Sequence, residues 1–295
     1  MPVYTNKFGL PSPLYALLGK EKYSRGDSRR SATQLIDSPR LVAIKEKYGE
    51  GVTDIADRVW ALFGTAVHKL IEEGIPASEW DITEERLFAE VEGWKISGAI
   101  DLQTLEGRAG LIDWKVCAMF SLKEGHKQEW ENQLNVLAYL MEISKDITVS
   151  KLQVGAIIRD WSRQESLRDP TYPRAPFHMV DIPLWPFEMQ EAYVRERVRL
   201  HQDAEMALNM GDEPEPCTPE EMWQTEDAWA VTKKGNKRAS KVFDNQDAAE
   251  AFAAPFPGAL IEHRPGERKR CLSFCPAAAN CALAPAKPVE QDGFS

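Results

Sequence analysis

The sequence predicts an α/β fold, with a mixed central sheet flanked by helices and a small cysteine-bearing module toward the C-terminus. Three observations lead to this prediction. Residues 53–73 place apolar side chains at helical spacing, and residues 184–210 form a longer amphipathic pattern. Residues 86–117 contain three β-rich segments separated by glycine-containing turns, as in an antiparallel meander. Beyond residue 210 the composition changes, and three of the five cysteines crowd together.

The elements are expected in the order helix, three strands, helix, two strands and helix. The helical pattern that begins at Ser31 is interrupted near Pro39, because proline breaks the hydrogen bonding of a helix interior. Thr53 is the expected N-cap of the next helix. The later elements are expected as strands at 86–93, 94–105 and 109–117, a helix at 126–144, strands at 151–161 and 177–184, and a helix at 184–210.

Composition divides the chain into three parts. Residues 1–30 mix proline, glycine, serine and charge, and are interpreted as a loose lead-in. Residues 31–210 hold the periodic segments and are expected to form the core domain. Residues 211–295 begin with the loop-like GDEPEPCTPEE and are expected to form a separate basic, cysteine-bearing module.

The charge balance limits the possible functions. The 295 residues carry a formal net charge of −10, which counts against a protein that coats nucleic acid through its overall charge. It counts less against a nuclease, because the carboxylates that hold metal ions are acidic. No apolar run approaches the roughly 20 residues that span a bilayer, and the N-terminus lacks an apolar signal core. We therefore expect a cytoplasmic protein with no membrane partner.

A carboxylate and a lysine stand two residues apart in the strand-like LIDWKV. Strand alternation places Asp113 and Lys115 on one face, and Asp101 in the preceding strand supplies a second carboxylate if the two strands pair. Carboxylates bind hard divalent cations, and such a cation lowers the pKa of a bound water. A nearby lysine neutralises charge that builds up on a phosphate. This set therefore indicates metal-dependent phosphodiester hydrolysis, although an Asp-x-Lys on a strand is more often a surface ion pair.

The order of these motifs resembles that of the PD-(D/E)xK nuclease superfamily, in its RecB-like and phage-encoded exonuclease branch. The matching stretches are GTAVH (64–68), GAID (98–101), IDWK (112–115) and NQLNVLAYL (132–140). SATQLIDSPR, CTPEEMW and CLSFCPAAANC also look like phage members of this group, so the resemblance covers most of residues 31–281.

The resemblance implies a restriction-endonuclease-like core and assigns roles by position. His68, Asp101 and Asp113 would bind the metal, Lys115 would be the catalytic lysine, and Gln133 would orient the lysine or the DNA backbone. The implied activity is that of a Mg²⁺- or Mn²⁺-dependent deoxyribonuclease, an exonuclease more than an endonuclease, in phage DNA replication or recombination. Its partners would be DNA ends and a phage recombination or replication protein in the host cytoplasm. The alternative is a catalytically silent DNA-binding or scaffolding relative.

The cysteines predict a second metal site. Cys271, Cys275 and Cys281 form a C-x3-C-x5-C pattern, and three thiolates this close in sequence can converge on one centre, with Cys217 as the fourth ligand. The resemblance implies a 4Fe–4S cluster here. The alternatives are zinc, which also suits four thiolates, and no metal at all. The C-x2-C pairs typical of zinc sites are absent from the sequence.

Basic residues in the C-terminal module predict where DNA binds. Lys233, Lys234, Lys237 and Arg238 stand close together, and such a cluster can follow a phosphate backbone. A solvated loop is the alternative interpretation.

Overall fold

The computed structural model describes residues 3–20, 25–75, 81–104, 109–123 and 125–285. The chain forms two compact units: Met1–Ala43 with Val52–Pro214, and Ile44–Gly51 with Glu215–Ser295. The lead-in of residues 1–30 falls within the first unit. Across the described ranges, no helix has both the length and the apolar composition that crossing a membrane requires.

Regular structure accounts for the core of both units. The strands are β1 (Tyr4–Thr5), β2 (Arg30–Ser31), β3 (Thr53–Asp54), β4 (Asp81–Val91), β5 (Trp94–Thr104), β6 (Gly110–Cys117), β7 (Lys151–Ile158), β8 (Phe177–Ile182), β9 (Ala228–Thr232), β10 (Lys241–Phe243) and β11 (Leu260–Arg264). The helices are α1 (Ser12–Leu18), α2 (Ala32–Ile36), α3 (Pro39–Tyr48), α4 (Val59–Gly74), α5 (Gln128–Lys145), α6 (Arg163–Arg168), α7 (Phe187–Met210) and α8 (Gln246–Ala253).

The main sheet of the first unit is mixed, as predicted. β4 pairs antiparallel along one edge of β5. The opposite edge of β5 is shared, because β2 pairs parallel with it at Ile96 and Ser97 while β6 pairs antiparallel with it from Leu102 to Thr104. β7 continues the sheet parallel to β6, and β8 closes it antiparallel to β7. The predicted meander of three strands is confirmed.

The hydrophobic core lies where α5 and α7 pack against this sheet. Close contact between α5 and β5 depends on Gly98. A Cβ atom at that position would lie 2.3 Å from Leu137 Cδ2 and 2.9 Å from Leu140 Cδ1, so only glycine lets the helix approach this closely.

A buried polar network ties α7 to α2. His201 is fully buried, accepts a hydrogen bond from Arg30 Nε at 3.4 Å and lies 3.2 Å from the carbonyl of Leu35. Burial of the imidazole, with repulsion from the Arg30 and Arg197 guanidinium groups, lowers the pKa of His201 to about 3. This histidine is therefore a neutral structural group.

Two local predictions are wrong. Thr53 is not a helix N-cap but lies in β3, paired with Tyr4, and the Asp54 side chain caps a short 3₁₀ turn before α4 begins at Val59. The first strand of the meander begins at Asp81 rather than at residue 86. The lead-in also contains regular structure, the helix α1.

The second unit contains a small three-stranded antiparallel sheet. β9 is central, with β10 and β11 on its two edges. The helix α8 follows β10, and the Asn245 side chain caps it by accepting a hydrogen bond from the Ala248 N–H at 2.8 Å.

Candidate metal centre

The candidate site lies where regular strand pairing around β5 is interrupted. β6 pairs with β5 only as far as Leu102 opposite Ile112 and then leaves it. The side chain of Asp101 occupies the point of separation, because its Oδ2 accepts a hydrogen bond from the Trp114 backbone N–H at 2.8 Å. A carboxylate thus replaces the backbone carbonyl that a continuous ladder would supply.

His68 comes to Asp101 from the helix α4. Its Nδ1 lies 3.4 Å from Asp101 Oδ2, and both side chains are partly buried. The GTAVH motif is therefore helical, and it brings an imidazole to the end of the GAID motif. The sequence-predicted pair of His68 and Asp101 is together in the structure.

The residue that the sequence interpretation missed is Glu84. The β4–β5 ladder pairs Thr83 with Leu102 and Glu85 with Ile100, and it leaves Glu84 opposite Asp101 outside the pairing. Glu84 has a φ of 52°, a left-handed backbone conformation that is costly for any residue other than glycine. One ligand atom each of His68, Glu84 and Asp101 lie within 4.8 Å of one another, and the Glu84 side chain is exposed.

Asp113, Lys115 and Gln133 form a second, adjoining network. Lys115 Nζ lies 2.7 Å from Asp113 Oδ2, as strand alternation predicts. Gln133 on α5 donates from Nε2 to Asp113 Oδ1 at 3.1 Å and accepts from Lys115 Nζ at 3.3 Å. Within the described residues, Oδ2 of Asp113 is held by the ion pair without a directed hydrogen bond. Asp113 is the most buried of these acids, with 4% of its surface exposed.

The two networks act on each other electrostatically. The pKa of Asp101 is raised to about 6, because burial and the Asp113 charge outweigh the opposing effects of His68, the Trp114 N–H and Lys115. Burial lowers the pKa of Lys115, but the negative charges of Asp113, Asp101 and Glu129 outweigh that effect, so the pKa of Lys115 is raised. Lys115 is therefore a fixed cation at neutral pH.

The donor set fits a divalent cation of the Mg²⁺ or Mn²⁺ class. Two carboxylates and an imidazole are hard or borderline ligands that suit such ions, and they converge without a thiolate. Burial and the neighbouring Asp113 charge disfavour the ionised form of Asp101. A bound cation would favour that form.

The four predicted cluster cysteines all lie in the second unit, and their thiolates influence one another. Burial raises the pKa of Cys271, and Cys217 and Cys281 add to this effect. Burial also raises the pKa of Cys275, with Cys271 and Cys281 contributing.

The predicted DNA-binding lysines and arginine lie between β9 and β10. Lys234, Lys237 and Arg238 are exposed there. Lys233 differs, since its Nζ lies 3.4 Å from the ring centroid of Phe256 and 5.5 Å from that of Phe252. Lys233 thus packs on aromatic rings, which gives it a structural role within its own unit.

Comparisons with known proteins add the following. A family model described as "Uncharacterized protein conserved in bacteria (DUF2188)" matches residues 221–264, which include β9, β10, α8 and β11. No curated protein sequence matches the chain. Solved structures that are similar include one described as "Crystal structure of SSO0001", with 17% identity and a TM-score of 0.42, covering 69% of this chain and 85% of that one.

Another similar structure is an alkaline exonuclease, LHK-Exo, from Laribacter hongkongensis. It is 13% identical, has a TM-score of 0.36, and the match covers 68% of this chain and 97% of that one. Both TM-scores are below 0.5, and the functional conclusion therefore depends on the geometry of the site itself.

Proposed function

We propose that this chain is a metal-dependent deoxyribonuclease with a restriction-endonuclease-like core, acting as an exonuclease on DNA ends. The observation that carries the proposal is the convergence of ligand atoms of His68, Glu84 and Asp101 within 4.8 Å, beside the Asp113–Lys115 ion pair. When bound there, Mg²⁺ or Mn²⁺ would stabilise negative charge on a phosphate and lower the pKa of a water molecule. The proposed place in phage replication or recombination rests on the motif resemblance.

The residues of the chain divide the remaining work. His68, Glu84 and Asp101 hold the cation, and Asp113 offers Oδ2, the oxygen that forms the ion pair with Lys115. Lys115 stays protonated and presents its charge to the phosphate as negative charge develops.

Gln133 fixes the orientation of both strand residues. Its amide binds Asp113 through Nε2 and Lys115 through Oε1, so α5 holds the acid and the lysine in one arrangement. It is a positioning residue, and its removal is expected to loosen both partners together.

The test is digestion of end-labelled single- and double-stranded DNA with Mn²⁺. Asp113→Ala and Lys115→Ala are each expected to lower the cleavage rate by at least about 100-fold, the size of effect seen when one charge-stabilising group is removed. The matched controls are Asp27→Ala and Lys95→Ala. Their side chains form an ion pair of the same 2.7 Å length, but on the surface and away from the ligand set.

The outcomes separate the competing functions. Equal cleavage by wild type and the two site variants would refute the nuclease assignment. DNA binding that survives Asp113→Ala, with no cleavage by wild type under any divalent metal, would instead favour a silent DNA-binding relative.

We also propose that Cys217, Cys271, Cys275 and Cys281 hold a 4Fe–4S cluster. Two observations support the proposal. The charges of these cysteines act on one another's thiols, as in a shared centre. The C-x2-C pairs typical of zinc sites are absent from the sequence, which favours iron–sulfur over zinc.

Anaerobically purified protein tests the cluster. A brown preparation that contains iron and acid-labile sulfide, and that loses both in Cys271→Ser, is the expected result. A colourless preparation with one bound zinc would refute it. Cys117→Ser is the matched control, because Cys117 is a buried residue of the first unit.

A further inference from the structure

The helix that carries His68 has an exposed aromatic surface. Of the Trp60 and Phe63 surfaces, 60% and 43% respectively are exposed, and their ring centroids lie 6.4 Å apart in an edge-to-face arrangement. No residue of α4 is buried, although the helix is rich in apolar side chains. Large aromatic side chains left in water in this way indicate a binding surface.

The side chain of Arg159 lies over one of these rings. The Arg159 guanidinium lies 4.4 Å from the centroid of the Trp60 ring. Arg159 is itself anchored, since its backbone N–H donates to the Cys117 carbonyl at 3.0 Å, at the end of β6. Trp60 is therefore linked to the strand that carries Asp113 and Lys115.

The same side of α4 leads from Trp60 to the candidate metal centre. Residues four and eight positions after Trp60 are Gly64 and His68, which lie on the same side of a helix. At about 1.5 Å per residue the step from Trp60 to His68 is about 12 Å, the length of three to four stacked nucleotides at about 3.4 Å each. Gly64 leaves the space between them open, because a Cβ there would meet no described atom within 4 Å.

We propose that this side of α4 binds a single-stranded DNA segment, with one base stacked on Trp60 and the backbone passing Gly64 toward His68. The inference rests on the proposed nuclease function and names its substrate class. A duplex hides the faces of its bases in its own stack, whereas a single strand offers them to an exposed indole. Arg159 adds a positive charge next to the ring, which suits a phosphate backbone and would oppose a basic protein partner.

The experiment measures binding of a fluorescein-labelled oligonucleotide of about 12 nucleotides by anisotropy, with Ca²⁺ in place of Mg²⁺. Trp60→Ala is expected to weaken binding by about 5- to 150-fold, the effect of losing one stacked base. Trp60→Phe should recover part of the affinity. Leu167→Ala is the matched control, since Leu167 is an exposed apolar residue of α6 that lies outside this surface.

Two further arms make the result specific to stacking. In the first arm, an abasic site is placed at successive positions of the oligonucleotide. When it falls at the nucleotide that faces Trp60, about three to four nucleotides from the cleaved bond, no base can stack on the indole. Wild type and Trp60→Ala should then bind that oligonucleotide equally. Gly64→Leu, which places a side chain in the open stretch beside Gly64, should also weaken binding while a urea melt shows that the protein remains folded.

Several results would overturn the proposal. Equal affinity of wild type and Trp60→Ala, or no binding of single strands by wild type, would do so. So would dissociation of an oligomer by Trp60→Ala at unchanged DNA affinity, which would assign the surface to a second copy of the chain. Trp60-dependent binding by a wild type that cleaves nothing would support this inference while refuting the nuclease function. A DNA cleavage rate that is the same in wild type and Trp60→Ala would refute this inference while supporting the nuclease function.

Discussion

Replacing Glu84 by glutamine should weaken Mn²⁺ binding without unfolding the protein. Three atoms within 4.8 Å of one another have a common centre within about 2.8 Å of each. At that separation a divalent cation and one negative charge attract by about 3 kcal/mol in a water-like dielectric, which suits the exposed Glu84. Because glutamine keeps an oxygen in place, the expected loss is about 10- to 100-fold in affinity.

Isothermal titration with Mn²⁺ measures this loss directly, and the Mn²⁺ concentration that gives half-maximal cleavage should rise in parallel. Glu90→Gln is the matched control, since Glu90 is an exposed glutamate on the same strand. If Asp101→Asn lowers Mn²⁺ affinity and Glu84→Gln leaves it unchanged, Glu84 is not a ligand and its left-handed backbone needs another explanation.

Three further predictions concern the fold that holds the site. Gly64→Ala should stabilise the protein by up to about 1 kcal/mol in a urea melt, because Gly64 lies inside a helix with free space around it; a loss of stability would mean that the space is filled. His201 has a pKa of about 3 in the folded protein, below the value of 6.5 in the unfolded chain. Its contribution to the free energy of unfolding is therefore fully present above pH 6.5 and is lost as the pH falls toward 3. Between about pH 7 and pH 5 that loss is about 2 kcal/mol, and His201→Gln should remove that pH dependence from the unfolding free energy. Gly98→Ala should lower the free energy of unfolding by about 1–3 kcal/mol, because the new methyl group pushes α5 away from β5. A second substitution, Leu137→Ala, should recover part of that loss. If the losses from the two substitutions simply add, residues 98 and 137 are not in contact.

The parts of the site that were predictable depend on local periodicity. Asp113 and Lys115 are two residues apart on one strand, and a strand repeats its side-chain direction every second residue. Their 2.7 Å contact follows from that rule alone. The order of strands was equally accessible, because glycine-containing turns separate the three segments of the meander.

Glu84 was not predictable, because its position depends on pairing between distant segments. The sequence interpretation began the strand at residue 86, where the apolar pattern starts, and thus left Glu84 in a loop. Its relation to Asp101 exists only through the register of β4 against β5, and its φ of 52° departs from any regular strand. A glutamate at the polar start of a strand gives no local signal of either feature.

The error at Thr53 has the same origin. Threonine before a helical pattern is a good N-cap candidate by local rules. The parallel pairing of Thr53 with Tyr4, 49 positions earlier, places it in a strand instead, and the next residue takes over the capping role.

Because Asp101 lies between two diverging strands, its side chain has to meet two separate requirements. Its carboxylate is a candidate ligand, and the same Oδ2 accepts the backbone N–H of Trp114. Asp101→Ala would leave that N–H without its acceptor, at a cost of about 1–3 kcal/mol, so an inactive alanine variant would mix lost chemistry with a loosened sheet. Asp101→Asn keeps a side chain of the same length with an acceptor oxygen, and it removes only the negative charge. Asp101→Glu keeps the charge but moves the oxygens by one methylene, so it should fail at both tasks despite its chemical similarity.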